Sequence, residues 1–212
     1  MIQSIKRKLL NKGAYFISYF KLKKILKNIN SSSLVIDCGA NIGDISALFL
    51  SKKARVIAFE PDPLAFKALQ NRFKGNPNIE CINKGVSDRA GKAKFFLHKS
   101  RTNHSGDEFT VSSSIVKEKI NIDTANSIEI ELVDLSEFIV NLNCKADIVK
   151  LDVEGAEIEI LEKIISEKVY HKIGLMLVET HETKIPGHDK KVAHLKAALE
   201  QENIGNIKLN WI

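Results

Sequence analysis

The strongest constraint on this chain is a change of period within residues 34–50, LVIDCGANIGDISALFL. An apolar run ends at an acid, two glycines follow four apart, and apolar residues then recur at helical spacing. A buried strand passing straight into a helix through a glycine turn is the opening unit of a parallel sheet with crossover helices. Strands covered on both faces carry no alternation, which is why the run is continuous. The unit recurs along the chain. Strands are expected at 34–38, 55–60, 79–83, 146–153, 172–180 and 206–212, and helices at 42–51, 155–168 and 189–203. A further helix opens in EPDPLAFKALQNRF (60–73), where Asp62 suits the N-cap and Pro63 the first helical position.

In the middle the rhythm breaks. Residues 92–98 and 127–135 read as strands expected to pair antiparallel, and Asp134 and Glu137 have capping-box spacing for a helix at 135–142. Between them, residues 99–126 are polar, with too few apolar side chains for a core, and are expected to form an active-site lid rather than a second domain. The expected fold class is α/β. The sheet is open and mostly parallel with helices on both faces, an inserted antiparallel strand pair and a helical N-terminal extension.

Composition matters chiefly for how charge is placed. Of the net +6, +8 lies in residues 1–36, which hold eight Lys or Arg and no acid, so the remainder carries −2. Ile5, Leu9, Leu10, Phe16, Ile17, Phe20, Ile25 and Ile29 recur at roughly helical spacing among those lysines. Residues 1–30 are therefore read as a basic amphipathic helical extension, and 31–212 as a single domain. The extension is expected to dock on the domain; the other reading is peripheral contact with an anionic membrane. No apolar run approaches about 18 residues and no signal peptide is recognisable, so a cytoplasmic protein is expected. Cys38, Cys81 and Cys144 are read as buried free thiols.

Three ligands compete for the turn at 37–43. A phosphate-binding P-loop needs Gly-Lys-Ser/Thr, whereas residues 43–45 are Gly-Asp-Ile. The dinucleotide fingerprint needs two more glycines at the positions held by Asn41 and Asp44, and Asp44 would repel a pyrophosphate. A ligand with an amino group and a sulfonium but no phosphate fits better. Asp37 suits its charge, the glycines allow close backbone approach, and Glu60 at the end of the second strand can accept ribose hydroxyls. Those are the requirements of S-adenosylmethionine.

The strings VIDCGANIGDIS, AFEPDPLAF, NKGVSDRAGKAKFF, VDLSEFI and VKLDVEGAEIEIL occur in the order and spacing of FkbM-type methyltransferases, which this chain resembles over roughly residues 34–165. The resemblance implies a Rossmann-like class I S-adenosylmethionine-dependent enzyme. It implies that Asp37, Gly39, Ala40, Asn41 and Gly43 cradle the methionine and ribose, and that Glu60, with Pro61 beside it, binds the ribose. Val86, Ser87 and Asp88 of the GVSD turn flank the adenine, and Asp152 sits beside the reactive centre. Class I sheets usually finish with an antiparallel hairpin. After residue 180 only one helix and one strand are legible here, which leaves the sheet edge open.

Methyl transfer needs in-line alignment, and a hydroxyl acceptor must also lose its proton to a base or a metal. The polar residues expected at the strand ends are Asp152 and Glu154, then Glu179 and His181. His181 is the preferred base, with Asp152 and Glu179 as catalytic partners. Asp152, Glu179 and His181 holding a divalent metal is the alternative, without a His-x-x-x-His pair or Cys cluster to strengthen it, and no metal is predicted. The expected acceptor is a hydroxyl of a sugar, a glycan or a small natural product. A nucleic-acid methyltransferase using the basic arm is disfavoured, because DVEG stands where an Asn/Asp-Pro-Pro-Tyr/Phe string would be expected. A non-catalytic binding protein is the remaining alternative, and the sequence does not fix an oligomeric state.

Overall fold

The computed structural model describes residues 22–98, 113–117, 119–120 and 122–209. Six strands form one sheet: β1 (Leu34–Cys38), β2 (Arg55–Phe59), β3 (Ile79–Ile82), β7 (Ala146–Leu151), β8 (Ile173–Val178) and β9 (Ile207–Leu209). Their order is β3-β2-β1-β7-β8-β9, and every pairing is parallel. A smaller sheet, in the order β4-β6-β5, joins β4 (Gly85–Ser87), β5 (Gly91–His98) and β6 (Ile122–Asp134). There β5 runs antiparallel to β6, as expected, while β4 pairs parallel with β6. The inserted pair is thus a three-stranded mixed sheet. The strand β6 begins at Ile122, so the last residues of the expected 99–126 connection are strand.

Alternation within each parallel strand feeds two cores. Leu34, Ile36, Cys38, Ile57, Phe59, Val149 and Leu151 face one side. There they meet α3 (Leu135–Val140), α4 (Glu157–Ser166) and α5 (His188–Gln201) through Ile139, Leu161 and Leu195. Val35, Val56, Ala58 and Ile148 face the other side and meet α1 (Asp44–Leu50) and α2 (Pro63–Arg72) through Phe49 and Leu69. Leu22 and Ile29 are buried in this second core, so the described end of the N-terminal extension is packed on the domain. Residues 1–21, which hold most of the basic stripe, lie outside the described residues.

The caps follow the sequence. Asp62 accepts from Leu64 and Ala65 N–H at the start of α2, with Pro63 in its first turn, and Asp134 accepts from Glu137 N–H to open α3. The far edge is settled by β9, which adds parallel to β8 through the α5 crossover. No antiparallel strand closes the six-stranded sheet among the described residues. Among the cysteines only Cys38 is fully buried; Cys81 is half-buried and Cys144 exposed, because Cys144 lies in the loop between α3 and β7. No described helix is long and apolar enough to cross a membrane.

Sheet order reverses between β1 and β7, and there the turn after β1 packs against the turn after β7. Gly39 has φ +76°, and a Cβ there would lie 1.9 Å from the carbonyl oxygen of Asp152. Gly39→Ala should therefore cost well beyond the roughly 1–3 kcal/mol of backbone strain and strongly lower the melting temperature. Gly75→Ala, with a similar φ of +78° but nothing within 4 Å, should cost only about 1–2 kcal/mol. Thermal unfolding followed by circular dichroism separates the two.

Candidate active site

The register pairs Asp37 of β1 with Lys150 of β7, so their side chains leave the sheet on the same face. The Lys150 ammonium lies 3.3 Å from Asp37 Oδ1 and 3.3 Å from Asp152 Oδ2. It also donates to the carbonyls of Gly39 at 2.7 Å and Cys38 at 3.3 Å. Burial alone would favour its neutral form. Attraction to Asp152 and Asp37 outweighs that and holds Lys150 above the ordinary lysine range. The second oxygen of Asp37 accepts from Ser46 Oγ at 2.6 Å, which ties α1 to β1.

Asp37 is completely buried. Its carboxylate is held inward, between Lys150 and Ser46. The turn itself is shaped by backbone. Gly39 and Ala40 N–H both donate to Phe59 O. Gly43 caps α1 with φ +84°, and a Cβ there would lie 2.5 Å from the Phe73 ring.

Glu60 follows β2 and bridges two loops. One oxygen accepts from Asn41 N–H at 2.7 Å and the other from Asp62 N–H at 2.8 Å. Burial pushes its carboxyl up to about 7, against the two backbone donors and Lys150. Asn83 fastens the same corner by donating to the carbonyls of Glu60 and Pro61. Val86 and Ser87 are buried in β4, and half-buried Asp88 accepts from Ser87 Oγ at 2.9 Å. The GVSD stretch thus reads as a turn in sequence but is in part a strand.

Past β7 the chain turns at Asp152–Gly155. Glu154 has φ +62° and Gly155 φ +132°, where a Cβ would meet Ile185 and Val116. Glu157, almost wholly buried, holds this turn by accepting from Val153 N–H at 2.9 Å and Gly155 N–H at 2.8 Å. It also lies 3.0 Å from His181 Nδ1. The other ring nitrogen, Nε2, is 3.0 Å from Glu154, 3.7 Å from Asp152 and 3.8 Å from Glu179. Burial opposes a charge on the ring, but the carboxylates of Glu154 and Glu157 overcome it and push His181 up to about 10. The surroundings thus favour the protonated ring at position 181.

The described end of the 99–126 segment reaches this turn. Ser114 Oγ donates to Glu154 O at 2.6 Å, and the buried Lys119 ammonium contacts Glu154 Oε2 at 2.6 Å. Desolvation would raise the Glu154 carboxyl, but His181, Lys119 and Lys184 hold it well below the usual carboxylate range. Residues 99–112 of the expected lid lie outside the described residues.

The structure thus gathers two clusters at the carboxyl ends of the strands. Asp37, Gly39, Ala40, Asn41, Gly43, Glu60 and Pro61 surround the β1 and β2 ends. Asp152, Glu179 and His181 surround the β7 and β8 ends. Sequence reasoning missed Lys150, Glu157 and Lys119. The available signals were a lysine inside an apolar strand buried on both faces, and a glutamate on the apolar side of a helix. A cleft of about 470 Å³ lined by Phe73, Lys74, Asn76 and Ile79 lies at the other end of β3, away from this chemistry.

Residues 37–204 match the family model described as the Methyltransferase FkbM domain. The chain is similar to Methyltransferase sdnD of Sordaria araneosa, 25% identical over 74% of this chain and 70% of that protein. It is also similar to Hexuronic acid methyltransferase AglP of Haloferax volcanii, 29% identical over 76% of this chain and 61% of that protein. The chain therefore spans less than two thirds of the length of AglP. Among solved structures, a TehB-like SAM-dependent methyltransferase from Corynebacterium glutamicum aligns over 93% of this chain and 80% of that one, at 11% identity and a TM-score of 0.41.

The Lys150 network makes a stability prediction. Lys150→Met leaves the buried Asp37 carboxylate, and the partly open Asp152, without their cation and should cost about 3–5 kcal/mol. Adding Asp37→Asn should return part of that loss, so the double variant unfolds at higher urea than the Lys150→Met single variant. Strictly additive effects would contradict the pairing.

Proposed function

The chain belongs to the FkbM methyltransferase family, and from that premise we propose that this S-adenosylmethionine-dependent enzyme methylates a hydroxyl of a sugar or glycan. The observation that carries the acceptor class is the likeness to Hexuronic acid methyltransferase AglP. Residues 31–212 are read as the catalytic domain and 1–30 as its helical extension.

The residues present suit the cofactor. The turn at Gly39 admits no side chain, and no phosphate-binding lysine follows Gly43. S-adenosylmethionine supplies an electrophilic methyl group on a cationic sulfur. In this reading, Gly39–Gly43 give the methionine and ribose a close backbone surface. Glu60 accepts the ribose hydroxyls with lone pairs left over from Asn41 and Asp62. Val86, Ser87 and Asp88 border the adenine. On the acceptor side, the carboxylates of Asp152 and Glu179, 24% and 30% exposed, are the open groups near His181. They orient the acceptor hydroxyl and receive its proton. The buried ring of His181 positions them.

Incubation with tritiated methyl donor tests the acceptor class. Label should appear in uronic-acid-containing glycans and be stable to mild base, as an ether is and an ester is not. Label confined to RNA, or to base-labile esters, would contradict the proposal.

Cofactor binding should depend on pH through Glu60. Ribose hydroxyls donate to the ionised carboxylate, whereas in the free protein Glu60 takes up a proton near pH 7. Affinity for S-adenosylhomocysteine should be flat above about pH 8 and fall as pH drops below 7, by at most about tenfold per unit. Glu60→Ala should weaken binding by about tenfold to a hundredfold at pH 8. Glu60→Gln should flatten the pH dependence. Calorimetric titration between pH 6 and 8.5 reads all three, and an unaltered slope in Glu60→Gln would remove Glu60 from the ribose site.

A further inference from the structure

The His181 ring is held in one orientation by a carboxylate with little freedom. Glu157 already accepts two backbone N–H groups, and its Oε1 lies 3.0 Å from Nδ1. A carboxylate in that position makes Nδ1 the donor and fixes Nε2 as the atom that looks outward. The side chain is 1% exposed, and Nε2 has no aligned hydrogen bond among the described residues. It points into a ring of carboxylate oxygens from Glu154, Asp152 and Glu179, at 3.0, 3.7 and 3.8 Å.

These carboxylates are not equally committed. Glu154 is matched by Lys119 at 2.6 Å and Lys184 at 3.6 Å. Asp152 has only a share of Lys150, which also serves Asp37. No lysine or arginine is paired with Glu179 within 4 Å among the described residues, and its nearest recorded cationic partner is His181. The carboxylate oxygens of Asp152 and Glu179 stand 3.7 and 3.8 Å from His181 Nε2. Ligands about 2.0–2.2 Å from a common ion stand roughly 3–4.4 Å apart, so the spacing suits a shared cation.

We propose that the carboxyl ends of β7 and β8 form a divalent-cation site in which His181 Nε2, Asp152 and Glu179 are ligands and Glu157 fixes the imidazole through Nδ1. One imidazole with two carboxylates suits a first-row ion such as manganese. Asp152 and Glu179 are partly open, so positions on the ion remain for a bound hydroxyl. This deepens the acceptor side of the methyl-transfer reading and rests on it. A hydroxyl on such an ion loses its proton more readily than one in water, and the second carboxylate oxygen of Glu179 takes it up.

The test is a manganese titration of chelator-treated, desalted full-length protein, followed by electron paramagnetic resonance. The expected result is one ion per chain, with echo modulation from a single coupled nitrogen. His181→Gln should abolish the nitrogen signal, and Asp152→Asn and Glu179→Gln should each weaken binding by about tenfold to a hundredfold. Should His181→Gln fail to fold, Glu179→Gln and the wild-type nitrogen signal still decide. Absence of manganese binding to the folded wild type, or binding without nitrogen coupling, overturns the site and leaves His181 as an imidazolium. Calorimetry with S-adenosylhomocysteine on the same samples keeps the failures apart. Cofactor binding without manganese binding rejects the metal site alone, whereas loss of cofactor binding in the wild type rejects the underlying reading.

Discussion

One ammonium group, that of Lys150, ties the two halves of the sheet together at the point where the strand order reverses. It lies between Asp37 of β1 and Asp152 beyond β7, and it donates to the carbonyl of Gly39 in the turn between β1 and α1. A charge buried this deeply is tolerated only because oxygens surround it. The consequence is geometric. Glycine is required at 39 because the same junction brings the Asp152 carbonyl to where a Cβ would be. The close approach of the two turns and the ion pair that steadies them are therefore one feature.

A second buried carboxylate organises the β7 and β8 ends in a similar way. Glu157 starts α4, yet it spends its oxygens on the turn that precedes it and on His181 beyond β8. That turn carries Glu154 in a left-handed conformation. The described end of the inserted segment closes on it through Ser114 and Lys119. Side chains thus tie the insertion to the β7 and β8 ends, which sheet hydrogen bonds join to each other. Loosening any one of them shifts the other two.

The sequence made the parallel frame legible because strands covered on both faces must be apolar throughout, and the runs at 34–38, 55–59 and 146–151 are nearly so. Asp62–Pro63 and Asp134 mark helix starts by local chemistry that needs no tertiary information. The strand β4 was invisible because it is three residues long and pairs with residues more than forty positions later. The polar first half of β6 looked like loop because residues 124–127 are exposed and its register with β5 is interrupted. Within the site, residue types were readable but not their partners. Asp37 was placed at the right strand end, yet its side chain turns inward to Lys150 and Ser46. Glu157 looks like any acid in a helix's first turn until His181, 24 residues away, is folded against it.

In the proposed reading, cofactor occupies the junction around Lys150, at the ends of β1, β2 and β4. Hydrogen exchange with and without S-adenosylhomocysteine tests it most directly. Slowed exchange is expected in peptides covering residues 38–44, 60–62 and 85–88, and none around residues 70–76 at the far cleft. Unchanged exchange at 38–44 and 60–62 under saturating ligand, or protection confined to 70–76, would contradict it.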